Sequence, residues 1–246
     1  MTIYNHIIKA KHEKKTLFAV LIDPEKCFGL KLVNFLKIIN TALPDFIFVG
    51  GSQFQNSVQE ATNMIKASTK IPVVLFLGNS MQFCDNADAM LFLSLISGRN
   101  PDFLIGHQVK SAQKIKQSGI ETISTGYILI DGGKKSAVQI VSNTEPLSEI
   151  DKIVDTAIAG EMLGCKVIYL EAGSGAQTPV SRQLIAEVSK NITVPLIVGG
   201  GLRSVEMLKD AITSGADILV VGNFFEKEPD KIIDFVNSIK KRVSNS

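Results

Sequence analysis

The sequence predicts one α/β domain over residues 1–246, a (β/α)₈ barrel of the TIM type with a missing or degenerate third helix. Eight short apolar segments alternate with segments in which apolar residues recur at helical spacing. This alternation is typical of βαβ units, and eight strands in 246 residues favour a closed barrel over an open doubly wound sheet. The predicted strands are 16–23, 45–51, 71–78, 87–96, 121–130, 166–173, 194–201 and 217–223.

The predicted helices are amphipathic and carry recognisable end signals. Residues 1–15 are basic and amphipathic, and we interpret them as a helix that caps the fold. Ser204 precedes a helix as an N-cap, and Gly119, Gly164 and Gly215 each follow one, where a left-handed residue is most easily a glycine. The other helices are predicted at 30–40, 58–68, 104–118, 149–163, 180–190, 205–214 and 229–242.

Two connections depart from the regular pattern. Only residues 78–86 separate the third and fourth strands, which is too few for a crossover helix. Residues 131–148 lack a clear period, and we expect an active-site loop or an additional short element there.

Composition excludes several functional classes. A net charge of +2 and the lack of an arginine-rich helix argue against a nucleic-acid partner. No apolar run is long enough to span a bilayer, and the N-terminus lacks the features of a secretion signal, so we expect a cytoplasmic protein. The three cysteines and three histidines show neither disulfide nor zinc spacing.

Glycines gather after the last three predicted strands. In α/β barrels the carboxyl ends of the strands form the reaction face, and phosphate sites recur after strands seven and eight. Residues 199–201 followed by Ser204, together with Gly222 and Asn223, offer bare backbone N–H groups suited to phosphate. Residues 173–175 could close a third side, although such glycines also serve tight turns alone.

Two carboxylates stand at strand ends. Glu171 would project into the barrel mouth, where partial burial makes a carboxylate a credible general base; a structural salt bridge is the alternative. Tyr169, on the same strand face, either hydrogen-bonds a ligand hydroxyl or packs inside the barrel. Asp23 with Ser52 suits Mg²⁺ that takes its other ligands from substrate phosphates, unless Asp23 only caps the next helix.

Seven segments, in order along most of the chain, resemble the geranylgeranylglyceryl phosphate synthase family, including the related heptaprenylglyceryl phosphate synthases. YLEAGSGA with the GGG and GN loops is the most specific part. The segments are LIDPEK (21–26), VGGSQF (49–54), SGRNP (97–101), GYILIDGG (126–133), YLEAGSGA (169–176), PLIVGGGLRS (195–204) and ADILVVGNFFE (216–226).

The resemblance implies a barrel without a normal third helix and a reaction between sn-glycerol 1-phosphate and a prenyl diphosphate. It implies Glu171 as the base and Mg²⁺ on Asp23 and Ser52. Arg99, just after the fourth strand, either contacts the diphosphate or forms a surface ion pair. Chain length favours a geranylgeranyl donor, and a homo-oligomer is the default for such barrels. The implied glycerol phosphate site consists of Tyr169, Leu170, Glu171, Ala172, Gly173, Ser174, Gly175, Gly200, Gly201, Gly222 and Asn223.

Three other functions stay open from sequence alone. A heptaprenyl donor would change only the length of the tail groove. A sugar-phosphate isomerase or aldolase would need a second acid or base opposite Glu171, and none is evident. A non-catalytic binding barrel would be expected to have lost the carboxylate or the phosphate loops.

Overall fold

A computed structural model describes residues 1–51, 58–79 and 82–243 of the chain. Over those residues eight parallel strands pair in chain order, and β8 returns to pair with β1, so the predicted closed barrel is confirmed. The strands are β1 Leu17–Ile22, β2 Phe46–Val49, β3 Val73–Leu75, β4 Ala89–Leu95, β5 Glu121–Leu129, β6 Val167–Glu171, β7 Leu196–Gly199 and β8 Ile218–Val221.

Ten α-helices lie within the described ranges, and each predicted helix has a counterpart among them. The predicted helix 104–118 is divided into a π-helical turn, Asp102–Gly106, and the α-helix that follows it. The helices are α1 Ile3–His12, α2 Gly29–Ala42, α3 Val58–Ser68, α4 His107–Ser118, α5 Ala137–Ser142, α6 Ile150–Met162, α7 Arg182–Asn191, α8 Val205–Thr213, α9 Asn223–Lys227 and α10 Lys231–Val243.

Local sequence signals set several helix ends. The Ser204 hydroxyl accepts a hydrogen bond from the Met207 N–H at 3.2 Å and so caps α8. Gly119 ends α4 with φ +71°, and Gly164 and Gly215 also have positive φ, as predicted.

Side chains alternate across the barrel wall, which is the property that positions the site. On β6, Val167 and Tyr169 point into the barrel, whereas Ile168 and Leu170 pack between the barrel and its helices. Glu171, the next residue of the inward series, therefore reaches the open end.

Helix α1 covers the amino end of the barrel. The Glu121 carboxylate, at the start of β5, accepts hydrogen bonds from the backbone N–H groups of Ile3 and Tyr4 at 2.6 and 2.9 Å. Lys11 forms an ion pair of 2.7 Å with Asp217, just before β8. This closed end leaves the opposite, carboxyl-terminal end for ligands.

The irregular connections frame that open end. The described part of the β3–β4 connection, 76–79 and 82–88, contains no α-helix. This confirms the prediction that the regular helix after the third strand is missing. The stretch 131–148 contains the short helix α5, one of the two outcomes expected from sequence. Helix α9, which begins at Asn223, was not predicted. None of the helices in the described ranges is long and apolar enough to cross a membrane.

Candidate active site

A cavity of about 690 Å³ opens at the carboxyl ends of the strands. One part of its wall is polar and follows β1, β6, β7 and β8; it includes Asp23, Glu171, Ser174, Gly200 and Asn223. The remaining wall is largely apolar and comes from β4, the π-helical turn and α5; it includes Leu93, Leu95, Phe103, Val138, Ile140 and Val141. The cavity therefore offers one face to a charged ligand and another to a hydrocarbon.

Glu171 is a buried carboxylate inside this cavity. It is the last residue of β6 and is only 6% exposed. Its Oε1 accepts a hydrogen bond of 2.8 Å from the Gly173 N–H. Burial raises the pKa of Glu171 from 4.5 to about 7, against the opposing effects of the Gly173 N–H and the Tyr169 hydroxyl. A carboxyl group with this pKa can accept a proton near neutral pH.

Two tyrosines lie beside the carboxylate. Tyr127 on β5 is in register with Tyr169 on β6, and both side chains line the cavity. The buried Tyr169 hydroxyl has no hydrogen-bond partner of good geometry among the described residues. Burial and the Glu171 charge raise the pKa of both tyrosines well above the ordinary value, so both phenols stay protonated at neutral pH.

The glycine loops after β6 and β7 come together, as expected for neighbouring strands. Gly173, Gly175, Gly200 and Gly201 have φ of +98°, +76°, +84° and +73°, which is backbone that residues with side chains rarely adopt. The loops are also closely packed, because a Cβ added to Gly200 would lie 2.5 Å from the Glu171 Oε1. Both the conformation and the space therefore require glycine here.

The loop after β8 completes this side of the cavity. Gly222 ends the strand, and Asn223 begins α9. The Asn223 side-chain amide donates a hydrogen bond to the Ser174 hydroxyl, which joins the third loop to the first. Backbone N–H groups and small polar side chains from three adjacent strands thus surround one region, an arrangement that suits a phosphate group.

Asp23 lies at the end of β1 on the far side of this region. Its Oδ2 is 3.0 Å from the Lys26 ammonium, which is also 3.2 Å from the Asn223 Oδ1 and 3.8 Å from the Glu226 Oε1. Gly51 packs closely against this carboxylate, since an added Cβ would lie 3.0 Å from the Asp23 Oδ1. Ser52, the other predicted metal ligand, lies outside the described residues.

Some predicted residues lie elsewhere. The Leu170 and Ala172 side chains are buried between the barrel and its helices, so only their backbone belongs to the strand end that borders the cavity. The Arg99 guanidinium donates hydrogen bonds to the carbonyls of Gly98 and Ile96 at 2.6 and 3.3 Å and does not line the cavity. The remaining predicted residues line it, apart from Ser52, Gly173, Gly199 and Ser204.

The cavity-wall residues that were not singled out from the sequence include Lys26, Phe76, Tyr127 and Glu226. Tyr127 could have been found, because the two-residue alternation places it on the inward face of β5, next to Tyr169. Lys26 lies in the turn after β1 and Glu226 in the short helix α9, and no local sequence pattern indicates that either side chain reaches the cavity.

The chain is similar to known proteins over most of its length. The model of the PcrB family matches residues 6–240. Proteins of Zunongwangia profunda and Flavobacterium johnsoniae, both named geranylgeranylglyceryl phosphate synthase, are 48% and 46% identical over 91% and 92% of this chain and cover 97% and 95% of their own lengths.

A solved structure is similar over the whole fold. The (S)-3-O-geranylgeranylglyceryl phosphate synthase of Thermoplasma acidophilum, in complex with its substrate sn-glycerol-1-phosphate, superposes with a TM-score of 0.92 at 30% identity, covering 98% of this chain and 99% of that one. The family match and the two bacterial relatives each extend over most of the barrel, including every strand that borders the cavity. The chain is therefore an enzyme that belongs to the PcrB family.

Proposed function

We propose that this enzyme forms an ether bond between the 3-hydroxyl of sn-glycerol 1-phosphate and C1 of a prenyl diphosphate, with geranylgeranyl diphosphate as the donor. The observation that carries the proposal is the buried Glu171 carboxylate, with a pKa near 7, between a glycine-lined phosphate region and an apolar wall. Family membership and the names of the relatives support the same reaction.

The glycine loops would hold the phosphate of glycerol 1-phosphate. The Thermoplasma acidophilum relative was solved in complex with this substrate. In this chain Gly200, Gly201 and Gly222 border the open end of the barrel. Ser174 and Asn223 add a hydroxyl and an amide to the backbone donors. A phosphate held there leaves the glycerol 3-hydroxyl to reach Glu171.

The apolar wall would hold the prenyl chain. Side chains from β4, the π-helical turn and α5 form this wall, and Ile140 on α5 is 67% exposed. Covering such side chains with hydrocarbon removes apolar surface from water, which is favourable by about 25 cal/mol per Å². A long tail therefore supplies binding energy at a distance from the reacting carbon.

We also propose Mg²⁺ as the cofactor, held by Asp23 and Ser52. The Asp23 carboxylate lines the cavity and is a ligand type that Mg²⁺ prefers, and no group of three or more acidic, histidine or cysteine side chains occurs among the described residues to form a complete cage. Mg²⁺ is commonly bound by one or two protein oxygens and by substrate phosphates, and when bound it offsets the negative charge of the leaving diphosphate.

The protein itself would supply the base that accepts the proton. Glu171 accepts the proton of the glycerol 3-hydroxyl as that oxygen forms its bond to C1. The bond between C1 and the diphosphate oxygen breaks, and its electron pair leaves with the diphosphate. The Gly173 N–H keeps the carboxylate oriented throughout.

We further propose that the chain forms a homo-oligomer, as many soluble barrels do. Ile105 and Val109 support this, since they are 58% and 67% exposed and lie four positions apart on the π-helical turn and α4. Apolar side chains at this spacing share a face, which a second copy could cover.

The reaction can be tested directly with radiolabelled sn-glycerol 1-phosphate, Mg²⁺ and prenyl diphosphates of graded length. We expect label in the lipid extract, greatest with the C20 donor. We expect none when equally labelled sn-glycerol 3-phosphate replaces sn-glycerol 1-phosphate. A maximum at C35 would instead assign the heptaprenyl reaction. Absence of labelled lipid at every chain length would contradict the proposed function.

The metal proposal predicts a specific defect in Asp23→Ala. Loss of this carboxylate should raise the Mg²⁺ concentration needed for half-maximal rate by roughly tenfold or more, because even indirect metal partners contribute that much affinity. The exposed Asp230, replaced by Ala, is the matched control and should leave the Mg²⁺ dependence unchanged. Full activity of the wild type in excess EDTA would exclude the metal.

A further inference from the structure

Three aromatic rings meet at the inner end of the cavity, and we call Phe76, Tyr127 and Tyr169 the aromatic wall. Phe76 follows β3, and its ring stacks on that of Tyr169 with centroids 5.2 Å apart and an interplanar angle of 22°. Tyr127 lies 5.9 Å from Phe76 and 5.3 Å from Tyr169. All three side chains line the cavity.

The aromatic wall adjoins the carboxylate. A Cβ built on Gly199 would lie 2.5 Å from the Tyr169 hydroxyl oxygen and 2.9 Å from the Glu171 Oε2, so the Tyr169 side chain lies next to the carboxylate. A hydroxyl deprotonated by Glu171 must lie within hydrogen-bond reach of it, and the attacked carbon about 3 Å beyond. That carbon therefore reacts close to the rings.

The reaction, which here rests on the proposed function, places positive charge on this carbon. When the bond from C1 to diphosphate breaks, the electron pair leaves with oxygen, and the allylic carbons carry the charge until the glycerol oxygen donates its pair. If the diphosphate lies on the Asp23 side of the cavity, as the proposed Mg²⁺ site requires, the carbon lies on the side of Glu171 and the three rings, which line the same cavity. An electron-rich surface on the interior side would stabilise this charge.

Aromatic faces are such a surface, since the ring quadrupole attracts cations most strongly where water is excluded. Lys26 and Arg203 also line the cavity, but they lie on the loops after β1 and β7 and not among the three rings. Tyr127 and Tyr169 remain neutral there, so their rings act as uncharged π surfaces.

We propose that the aromatic wall stabilises the positive charge that develops at the allylic carbon, which makes Phe76 and Tyr127 catalytic residues in addition to Glu171. The rings form no bond and exchange no proton. Their contribution is to transition-state charge, so their loss should lower kcat far more than it raises KM for either substrate.

The first test grades the π character of Phe76 without changing its shape. Phe76 is replaced by 4-fluoro-, 3,5-difluoro- and 3,4,5-trifluorophenylalanine, which withdraw electron density stepwise from the ring face. We expect log kcat to fall with each fluorine, by roughly 10- to 30-fold in total, the equivalent of about 2 kcal/mol. The same series at Phe46, buried deeper in the barrel, is the control and should not change kcat.

The second test does not depend on turnover. N,N,N-trimethylgeranylammonium and its neutral carbon isostere are titrated calorimetrically into the enzyme in the presence of inorganic pyrophosphate. We expect the wild type to prefer the cation, and this preference to fall stepwise along the Phe76 series and not along the Phe46 series.

These two measurements separate the outcomes. A stepwise fall in both kcat and cation preference supports the aromatic wall. If lipid forms and fluorination leaves kcat unchanged, the inference is wrong, whatever the binding data show. If no lipid forms but cation preference still falls stepwise, the proposed reaction fails while the cation site stands; if no lipid forms and the preference is flat, both fail.

Discussion

Glu171→Gln is expected to lower kcat by roughly 10²- to 10⁴-fold, the usual contribution of a general base. The amide keeps the size of the side chain and can still accept the Gly173 hydrogen bond, so the glycine loops should keep their conformation. It cannot accept the proton of the glycerol hydroxyl. Affinity for glycerol 1-phosphate, measured by calorimetry, should therefore change little while turnover is lost.

The exposed Glu149, replaced by Gln, is the matched control, since the same change of charge there should leave kcat within a factor of two or so. Turnover by Glu171→Gln at the wild-type rate would remove Glu171 from the proton transfer. Equal losses of affinity and turnover would assign it to substrate binding instead.

The pH dependence follows from the same burial. Because the base must be ionised, kcat/KM of the wild type should rise with pH and reach half its maximum at about pH 7, the pKa that burial gives Glu171. The rise should be absent from the residual activity of Glu171→Gln. A midpoint near 4.5, the ordinary pKa, would contradict the burial of this carboxylate in solution.

As pH rises, the free energy of unfolding of the wild type should fall while its activity rises. A carboxyl group whose pKa is higher in the folded state binds more protons there between pH 4.5 and about 7, so the free energy of unfolding falls as pH rises through that window. Glu171→Gln removes this dependence. Chemical denaturation should thus find the variant more stable than the wild type above pH 7 and no more stable near pH 4.

Residues at strand ends were predictable because two simple rules apply to them. Alternation along a strand identifies the inward face, and the closed parallel barrel brings all carboxyl ends together. Asp23, Glu171 and the glycine loops satisfy both rules, and the structure places them around one cavity. The absence of a regular helix after the third strand was predictable from the shortness of the 78–86 connection.

Other features depend on contacts that a single sequence does not specify. The segment 169–175 was taken as one binding stretch, yet alternation turns the Leu170 side chain away from the cavity. Phe76 and Tyr127 are residue types common in ordinary cores. Only their ring contacts with residues of other strands reveal a cluster. Lys26 contacts Asp23, which is close in sequence, and also Asn223, which lies 197 residues away.

Gly200→Ala should be nearly as damaging as loss of the base, although it removes no functional group. Its φ of +84° is unfavourable for alanine by about 1–2 kcal/mol, and the new Cβ would lie 2.5 Å from the Glu171 Oε1 and 2.8 Å from the Gly173 N. The methyl group would therefore separate the carboxylate from the N–H that orients it. We expect kcat/KM to fall by roughly 100-fold, the scale on which a misplacement of 1 Å acts.

Gly119→Ala separates strain from position, because Gly119 has φ +71° but nothing within 4 Å of an added Cβ. It should cost about 1–2 kcal/mol of stability in chemical denaturation and leave kcat/KM unchanged.

The double variant Glu171→Gln with Gly200→Ala tests whether Gly200→Ala lowers activity through the carboxylate. If the methyl group acts through the carboxylate, the double variant should be little slower than Glu171→Gln alone, because effects on one shared element are not additive. Losses that simply multiply would instead place the defect in phosphate binding by the glycine loop.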